Sequence, residues 1–162
     1  GHFSDIHGQI EFDPEHPGRG SVECRIDTST LWTGEEARDE HLRSEDFLHV
    51  EAHPEMVYRG EVEKALGPDR FRVAGELTLR GATREVPLEV RYLGGWETPY
   101  WEEGEDRGPI RRLGFEATTT IDRQDFGVSW NGTLDRGGVV VSDEIEIIID
   151  VEALETGVVE GI

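Results

Sequence analysis

The sequence predicts an all-β protein built on an antiparallel sheet, with one covering helix near residues 34–46. Three observations predict this fold. Apolar and polar side chains alternate with period two through most of the 162-residue chain. Gly, Pro and charged residues punctuate the alternating segments, as turns require. The longest apolar runs are three residues, as in 139–141, far short of the about 20 that a membrane-spanning helix needs.

Seven strands follow from the alternation. We expect them at residues 3–13, 21–27, 56–63, 71–79, 86–92, 113–121 and 139–151. The short link 81–83 between two alternating segments predicts a hairpin. Pro87 falls on the outward parity of its strand, which indicates an edge or a bulge.

Two longer segments interrupt this pattern. In the first, Thr33 and Glu36 have the spacing of a capping box, which predicts a helix that starts there and ends near Ser44. The second, residues 95–112, is rich in Gly, Pro, acidic and aromatic residues and is predicted to be a mobile surface loop.

The length suits one domain, which we place at residues 1–153 with a C-terminal tail at 154–162. Seven antiparallel strands could form a sandwich or a barrel, and closure hides sheet edges most completely. The smallest barrel that holds one ligand inside has eight strands. The predicted set is therefore one strand short.

Charge excludes several classes of partner. The chain has 36 Asp and Glu against 16 Lys and Arg, a formal net charge of −20. Nucleic acids and anionic membranes attract clustered cationic side chains, so we expect neither nucleic-acid binding nor stable membrane insertion. The single cysteine, Cys24, alternates with Val22 and Ile26 and is predicted to be a small buried apolar side chain without a disulfide.

Several segments in order resemble the YceI-like polyisoprenoid-binding family. They are residues 3–8 (FSDIHG), 33–47 (TGEEARDEHLRSEDF), 53–54 (HP), 75–84 (GELTLRGATR), 122–127 (DRQDFG) with Trp130 and Asn131, and 137–143 (GGVVVSD). The resemblance extends from Gly1 to about Ala153. It implies an extended eight-stranded lipocalin-like β-barrel with a helix over one side. It also implies binding, storage or transport of a polyisoprenoid, an isoprenoid quinone or a fatty-acid derivative in an apolar tunnel.

The chain departs from this family at its beginning. The family's usual first strand is absent, which matches the strand missing from the count. The chain starts at Gly1 and its only Met is Met56, so we expect a processed or incomplete product, or a barrel open on one side that could form a homodimer. A cytoplasmic location is favoured, and a periplasmic or secreted one stays open. Met56-Val57-Tyr58 also replaces an aliphatic–Thr–Phe run, adding a hydroxyl near the tunnel.

Shared strand parity and the resemblance together predict the ligand-binding residues. The tunnel lining is predicted to be Val22, Ile26, Leu42, Phe47, Tyr58, Phe71, Val73, Leu77, Leu79, Val86, Leu88, Val90, Phe115, Phe126, Trp130, Ile145 and Ile147. Trp130 and Phe126 are also candidates for a plug at the barrel base. Polar head-group candidates are Arg38, His41 and Arg43; the alternative for these three is a salt-bridged helix that only stabilises the rim.

No catalytic residue, cofactor or metal is predicted. The expected bound molecule is a lipid-like ligand. Ser44 lies near His41 without a nucleophile-elbow motif, so an enzyme acting through the His41 cluster is the alternative rather than the main hypothesis. A packed barrel with Trp96, Tyr100 and Trp101 as a protein-interaction surface is another. His49 and His53 are four residues apart, but Pro54 disfavours a helix there.

Overall fold

A computed structural model describes residues 1–156, so most of the predicted tail lies outside the described residues. The strands are β1 (Ile6–Phe12), β2 (Gly20–Asp27), β3 (Glu55–Ala65), β4 (Arg70–Leu79), β5 (Ala82–Glu85), β6 (Leu88–Glu102), β7 (Glu105–Asp122) and β8 (Glu144–Leu154). The helix α1 spans Glu36–Arg43, and two 3-10 turns span Thr28–Thr30 and Arg123–Phe126. No helix in this part of the chain has the length and apolarity to cross a membrane.

All strands belong to one antiparallel sheet in the order β1-β2-β3-β4-β6-β7-β8, with β5 paired to β4. The predicted all-β antiparallel fold with one covering helix is therefore confirmed. The predicted closure of the barrel is not confirmed, because within residues 1–156 no ladder joins β1 to β8. The structure is an open barrel whose two edge strands are β1 and β8, and we call the gap between them the seam.

The strand count differs from the prediction because a short strand, β5, precedes the predicted strand at 86–92, which begins as β6 only at Leu88. β4 pairs with β5 at one end and with β6 at the other. Pro87 lies between those two strands and has no N–H to donate. The predicted hairpin is present, with Arg80 and Gly81 both at positive φ between Leu79 and Ala82. That backbone is typical of a two-residue hairpin turn.

The prediction of a mobile loop at residues 95–112 is wrong. These residues are the outer parts of β6 and β7, which we call the β6–β7 arm, paired from Gly95↔Leu113 to Glu102↔Glu105. Glu103 and Gly104, both at positive φ, make its two-residue turn. The ladder is irregular at two places along this hairpin, and such bulges break the alternation from which a strand is recognised.

The predicted capping box is also wrong. Glu35 precedes the first turn of α1 without a side-chain capping bond. Thr33 instead gives both its N–H and its hydroxyl to the Asp39 carboxylate one turn into the helix. The carboxylate of Asp39 competes for the donors that the capping box would have used.

The last strand begins at Glu144, five residues later than predicted from Val139. The Asn131 side chain explains the difference, because its Oδ1 accepts the N–H groups of Val140 and Val141 at 3.1 Å. Its Nδ2 donates to the Val141 carbonyl at 2.8 Å. This segment therefore satisfies its backbone through Asn131 rather than through the sheet.

Candidate functional site

The candidate site is the concave, apolar face of the open barrel. Period-two alternation sends every second side chain of each strand to this face. Sixteen of the seventeen predicted lining residues belong to the single apolar cluster that fills it, and Ile145 is the one outside. Ile145 stands opposite Ile121 on β8 and is 37 % exposed. Parity therefore placed the strand residues other than Ile145 in the interior, whereas Leu42, Phe47, Phe126 and Trp130 lie outside the strands.

Burial divides the predicted lining into two zones. Eleven residues are buried: Phe47, Tyr58, Phe71, Val73, Leu77, Leu79, Val86, Leu88, Val90, Phe115 and Phe126. Five are half-buried: Val22, Ile26, Leu42, Trp130 and Ile147. The buried strand residues come from the middle strands and pack against one another. Within residues 1–156, exposed apolar surface on the concave face is concentrated near the seam.

An aromatic cluster that the sequence analysis missed lies at the arm end of the interior. The ring of Phe12, on β1, is 5.6 Å from Phe71, 5.2 Å from Tyr92 and 5.0 Å from Phe115 between centroids. These separations suit favourable aromatic contacts. β1 therefore reaches across the interior to β4, β6 and β7. The signal was available, since Phe12 shares the parity of Ile6 and Ile10.

The hydroxyl of Tyr58 is used by the protein itself. It donates to the Val86 carbonyl at 2.7 Å in a buried position. The ring passes over two glycines, and a Cβ at Gly75 would stand 2.4 Å from the Tyr58 hydroxyl oxygen. Burial, with a smaller contribution from Cys24, raises the pKa of Tyr58 to about 12. In this conformation the Tyr58 hydroxyl links β3 to the backbone of Val86 and is not available to a ligand.

The other end of the interior is closed beneath α1. His41 contacts Phe47 and Trp130 edge-on, at centroid distances of 5.0 and 4.6 Å. Its Nε2 is 2.9 Å from a carboxylate oxygen of Asp46. The Ser44 hydroxyl donates to the His41 carbonyl at 2.6 Å. Ser44 therefore bonds the backbone of His41, which is not the arrangement of a nucleophile and its base.

The two arginine head-group candidates donate to nearby parts of the chain. Arg38 donates from Nε to the Thr33 hydroxyl at 2.8 Å and from Nη2 to the Thr33 carbonyl at 3.2 Å. Arg43 donates to the carbonyls of Ser29 and Leu31. Asp39 is buried between them, and hydrogen bonding from Thr33 holds the pKa of its carboxyl below the usual value. This polar network fastens α1 to the segment before it.

A buried arginine anchors the loop that carries Trp130. Arg123 is 3 % exposed and donates to the carbonyls of Val128, Trp130 and Ser142 at 2.7–2.8 Å. Its guanidinium also lies 3.2 Å from Asp143. Sequence reasoning singled out Trp130 and Phe126 here as a base plug. The residue that fixes the plug is Arg123, whose planar fork suits several carbonyls at once.

Two surface recesses lie outside this apolar face. One, of about 420 Å³, is lined by His2, Ser4, Thr30, Leu31, Trp32 and Arg43. The other, of about 280 Å³, is lined by Asp5, His7, Arg25, Asp27, Pro54 and Glu55. Among residues 1–156, no three or more His, Cys, Asp or Glu side chains converge as a metal cluster. Burial raises the pKa of the Cys24 thiol, which disfavours the reactive thiolate.

The fold is an open antiparallel sheet that curves around one apolar cluster, with aromatic contacts near both ends of that cluster. The comparisons give the particular family. The YceI-like domain model matches residues 1–153, and the chain belongs to that family.

Curated relatives match along nearly the whole chain. A UPF0312 protein of Azotobacter vinelandii is 33 % identical over 154 residues, which are 95 % of this chain and 73 % of the relative. A UPF0312 protein of Pectobacterium carotovorum subsp. carotovorum is 35 % identical, over 95 % of this chain and 72 % of the relative.

Solved structures share the fold. The YCEI protein of Campylobacter jejuni superposes with a TM-score of 0.79 at 24 % identity, covering 96 % of this chain and 84 % of that one. BcnA of Burkholderia cenocepacia gives a TM-score of 0.70 at 22 % identity, covering 93 % and 85 %. At these identities the likeness carries the fold alone.

Proposed function

We propose that the protein binds and carries a long-chain apolar or amphiphilic molecule: a polyisoprenoid, an isoprenoid quinone or a fatty-acid derivative. The observation that carries this proposal is the incomplete burial of the concave face toward the two edges of the sheet. Val22 and Ile26 on β2, next to the edge strand β1, and Ile147 on the edge strand β8 are half-buried, and Ile145 on β8 is exposed. Each methylene removed from water contributes about 0.8 kcal/mol, so an extended hydrocarbon can bind through contact alone. No catalytic step is part of the proposal.

The ligand enters sideways, through the seam. Side chains of the middle strands fill the space between them, so the ligand occupies the interior by parting β1 from β8, which share no ladder within residues 1–156. We assign the head group to the α1 end. His41 is the most suitable contact there, because only its Nε2 pairs with a protein oxygen, on Asp46, whereas Arg38 and Arg43 each donate to two protein oxygens.

The carrier proposal is tested by native mass spectrometry of gently purified protein. We expect a non-covalent adduct with a long-chain amphiphile, or uptake of an added isoprenoid quinone or fatty amide. Ile147→Trp should fill the seam and remove contact with about two methylenes, or ~1.6 kcal/mol, which is about tenfold in affinity. Ile148→Trp is the matched control, since Ile148 points outward and is 70 % exposed.

Val73→Trp tests the interior further from the seam. Val73 is buried in the packed cluster, so the larger side chain should weaken uptake and also lower the free energy of unfolding by about 1–3 kcal/mol, whereas Ala74→Trp, on the outward and exposed face of the same strand, should change neither. Bare protein that takes up no quinone or fatty amide would overturn the carrier proposal.

A second candidate is a protein-interaction module, favoured by the packed middle of the barrel and by the exposed arm residue Trp101, which is 63 % exposed. This second candidate would be favoured if the protein took up no amphiphile and if Trp101→Ala weakened its binding to a protein partner.

A homodimer through the sheet edges is a separate proposal. The outward face of β8 carries Glu146, Asp150 and Glu152, all exposed. Antiparallel pairing of two β8 strands would bring carboxylates close together, which is destabilising. Pairing should therefore use β1, whose outward face carries His7, Gln9 and Glu11. Sedimentation equilibrium over an about 100-fold range of protein concentration tests this proposal. Monomer alone across that range would contradict it.

A further inference from the structure

Between α1 and β3 the chain makes one helical turn that brings two histidines together. The His53 N–H donates to the His49 carbonyl at 2.9 Å, the i to i+4 bond of an α-helix. The two imidazole rings lie 5.7 Å apart between centroids. Pro54 was expected to disfavour a helix here, and the structure has no helix between Arg43 and Glu55. A single hydrogen-bonded turn, with His49 itself at φ 48°, is what brings the two residues together.

The turn is held by its surroundings. Thr28, which is 1 % exposed, donates from its hydroxyl to the His53 carbonyl and from its N–H to the Pro54 carbonyl, both at 2.9 Å. The His49 N–H donates to the Ser44 carbonyl at 2.8 Å. The His53 ring also covers a glycine turn, since a Cβ at Gly81 would be 3.0 Å from its Cε1. Folding itself therefore holds both imidazoles near each other.

We propose that His49 and His53 together bind one divalent transition-metal ion of the Zn²⁺ or Cu²⁺ class. Metal–imidazole nitrogen bonds are about 2.0–2.1 Å, so two imidazoles at a tetrahedral angle have centroids about 5 Å apart. The observed 5.7 Å is close to this separation. The rings are nearly perpendicular, at 81°, so binding turns one imidazole about its soft terminal torsion.

The site has two protein ligands and is completed by water. No cluster of three or more ligating side chains occurs in the part of the chain that the structure describes, so His49 and His53 act as a chelating pair, with the i, i+4 spacing seen in helical zinc motifs. The formal net charge of −20 raises the local concentration of cations. Imidazole pairs prefer Cu²⁺ over Zn²⁺ in the usual affinity order of divalent metals.

The test is calorimetric titration of the whole 162-residue chain, without a polyhistidine tag, with Zn²⁺. We expect one equivalent to bind. His49→Asn and His53→Gln should each lower the affinity about tenfold or more, because each imidazole holds the ion at a high effective concentration for the other. His49 is at φ 48°, a region that Asn tolerates. A control with His2→Asn, His7→Asn and His16→Asn removes three exposed histidines and should keep wild-type affinity.

Nuclear magnetic resonance of the wild-type protein gives a second readout that needs no variant. The ring resonances of His49 and His53 should change together and saturate at one Zn²⁺ per chain. Wild-type affinity in either single variant would overturn the proposal. So would separate titration of the two rings, or loss of the strongest binding in the triple control.

Discussion

Replacing Arg123 by Met should destabilise the protein severely, because the guanidinium is the common donor for a whole loop. Arg123 donates to three carbonyls at 2.7–2.8 Å and more weakly to that of Val141 at 3.4 Å. A methionine has similar length and no donor. The carbonyls of Val128, Trp130 and Ser142 would then have to be rehydrated or left without a partner.

The magnitude follows from these bonds. A buried acceptor that loses its partner costs about 1–3 kcal/mol. The bond to Val128 is buried, whereas those to Trp130 and Ser142 are partly buried, so water can compensate for part of the loss there. The Asp143 carboxylate is 60 % exposed, so this ion pair adds little. We expect Arg123→Met to cost about 3–5 kcal/mol, the sum of one full and two partial losses of this kind.

Urea unfolding at 25 °C, followed by tryptophan fluorescence and far-UV circular dichroism, measures this loss. With an m-value of about 2 kcal/mol/M, the midpoint should fall by about 1.5–2.5 M. Arg123→Lys keeps the charge but not the planar guanidinium with its several donors. Its free energy of unfolding should therefore fall by roughly half as much. Arg59→Met is the surface control, because Arg59 is exposed and pairs only with Glu23; it should cost under about 1 kcal/mol. A loss below about 1 kcal/mol for Arg123→Met would refute the reasoning.

Three further outcomes are expected. Tyr58→Phe leaves the buried Val86 carbonyl without its donor and should cost about 1–3 kcal/mol in urea unfolding, whereas Tyr100→Phe, whose hydroxyl contact is exposed, should cost almost nothing; equal losses would contradict this role for Tyr58. Asp39→Asn should destabilise the protein at neutral pH. Since the pKa of Asp39 is lowered by folding, the ionised carboxylate stabilises the native state above its ordinary pKa, and the gap between variant and wild type should close as the pH falls through the lowered value; a gap independent of pH would exclude ionisation as the cause. Raising sodium chloride from 0.1 to 1 M shortens the Debye length from about 10 to about 3 Å and should raise the melting temperature at a net charge of −20; a fall would contradict self-repulsion.

The parts of the fold that alternation encodes were predictable from the sequence. Val73, Leu77 and Leu79 were placed on one face of β4, and all three are buried in the cluster. The period of two fixes which face each side chain takes once a strand is recognised. The helix was predicted from the Thr33–Glu36 spacing, and the structure places it at Glu36–Arg43 although the capping box itself does not form.

What the sequence could not give depends on partners distant in the chain. The β6–β7 arm lacks clean alternation because bulges shift its register. The Asn131 side chain replaces sheet pairing for Val140 and Val141, and Asp39 takes the donors of Thr33. The bonds made by Asn131 and Asp39 are side-chain bonds to the backbone that compete with regular structure, and spacing alone does not reveal which of the competing bonds forms.

The positions of the aromatic clusters decide how a ligand would enter. Phe71 and Leu79 mark the two ends of β4's inward face, about 26 Å apart at the usual strand rise. Beyond Phe71 lies the cluster around Phe12, and beyond Leu79 lies the cluster of His41, Phe47 and Trp130 that the Arg123-anchored loop supports. Opening either end would separate packed aromatic rings, and at the α1 end also buried charge-assisted hydrogen bonds. Parting the seam breaks no ladder between β1 and β8 within residues 1–156, but moving β1 would separate Phe12 from Phe71, Tyr92 and Phe115. For the proposed ligand we therefore expect lateral entry by displacement of β8 rather than β1, which is why a bulky side chain at Ile147 on β8 should hinder uptake.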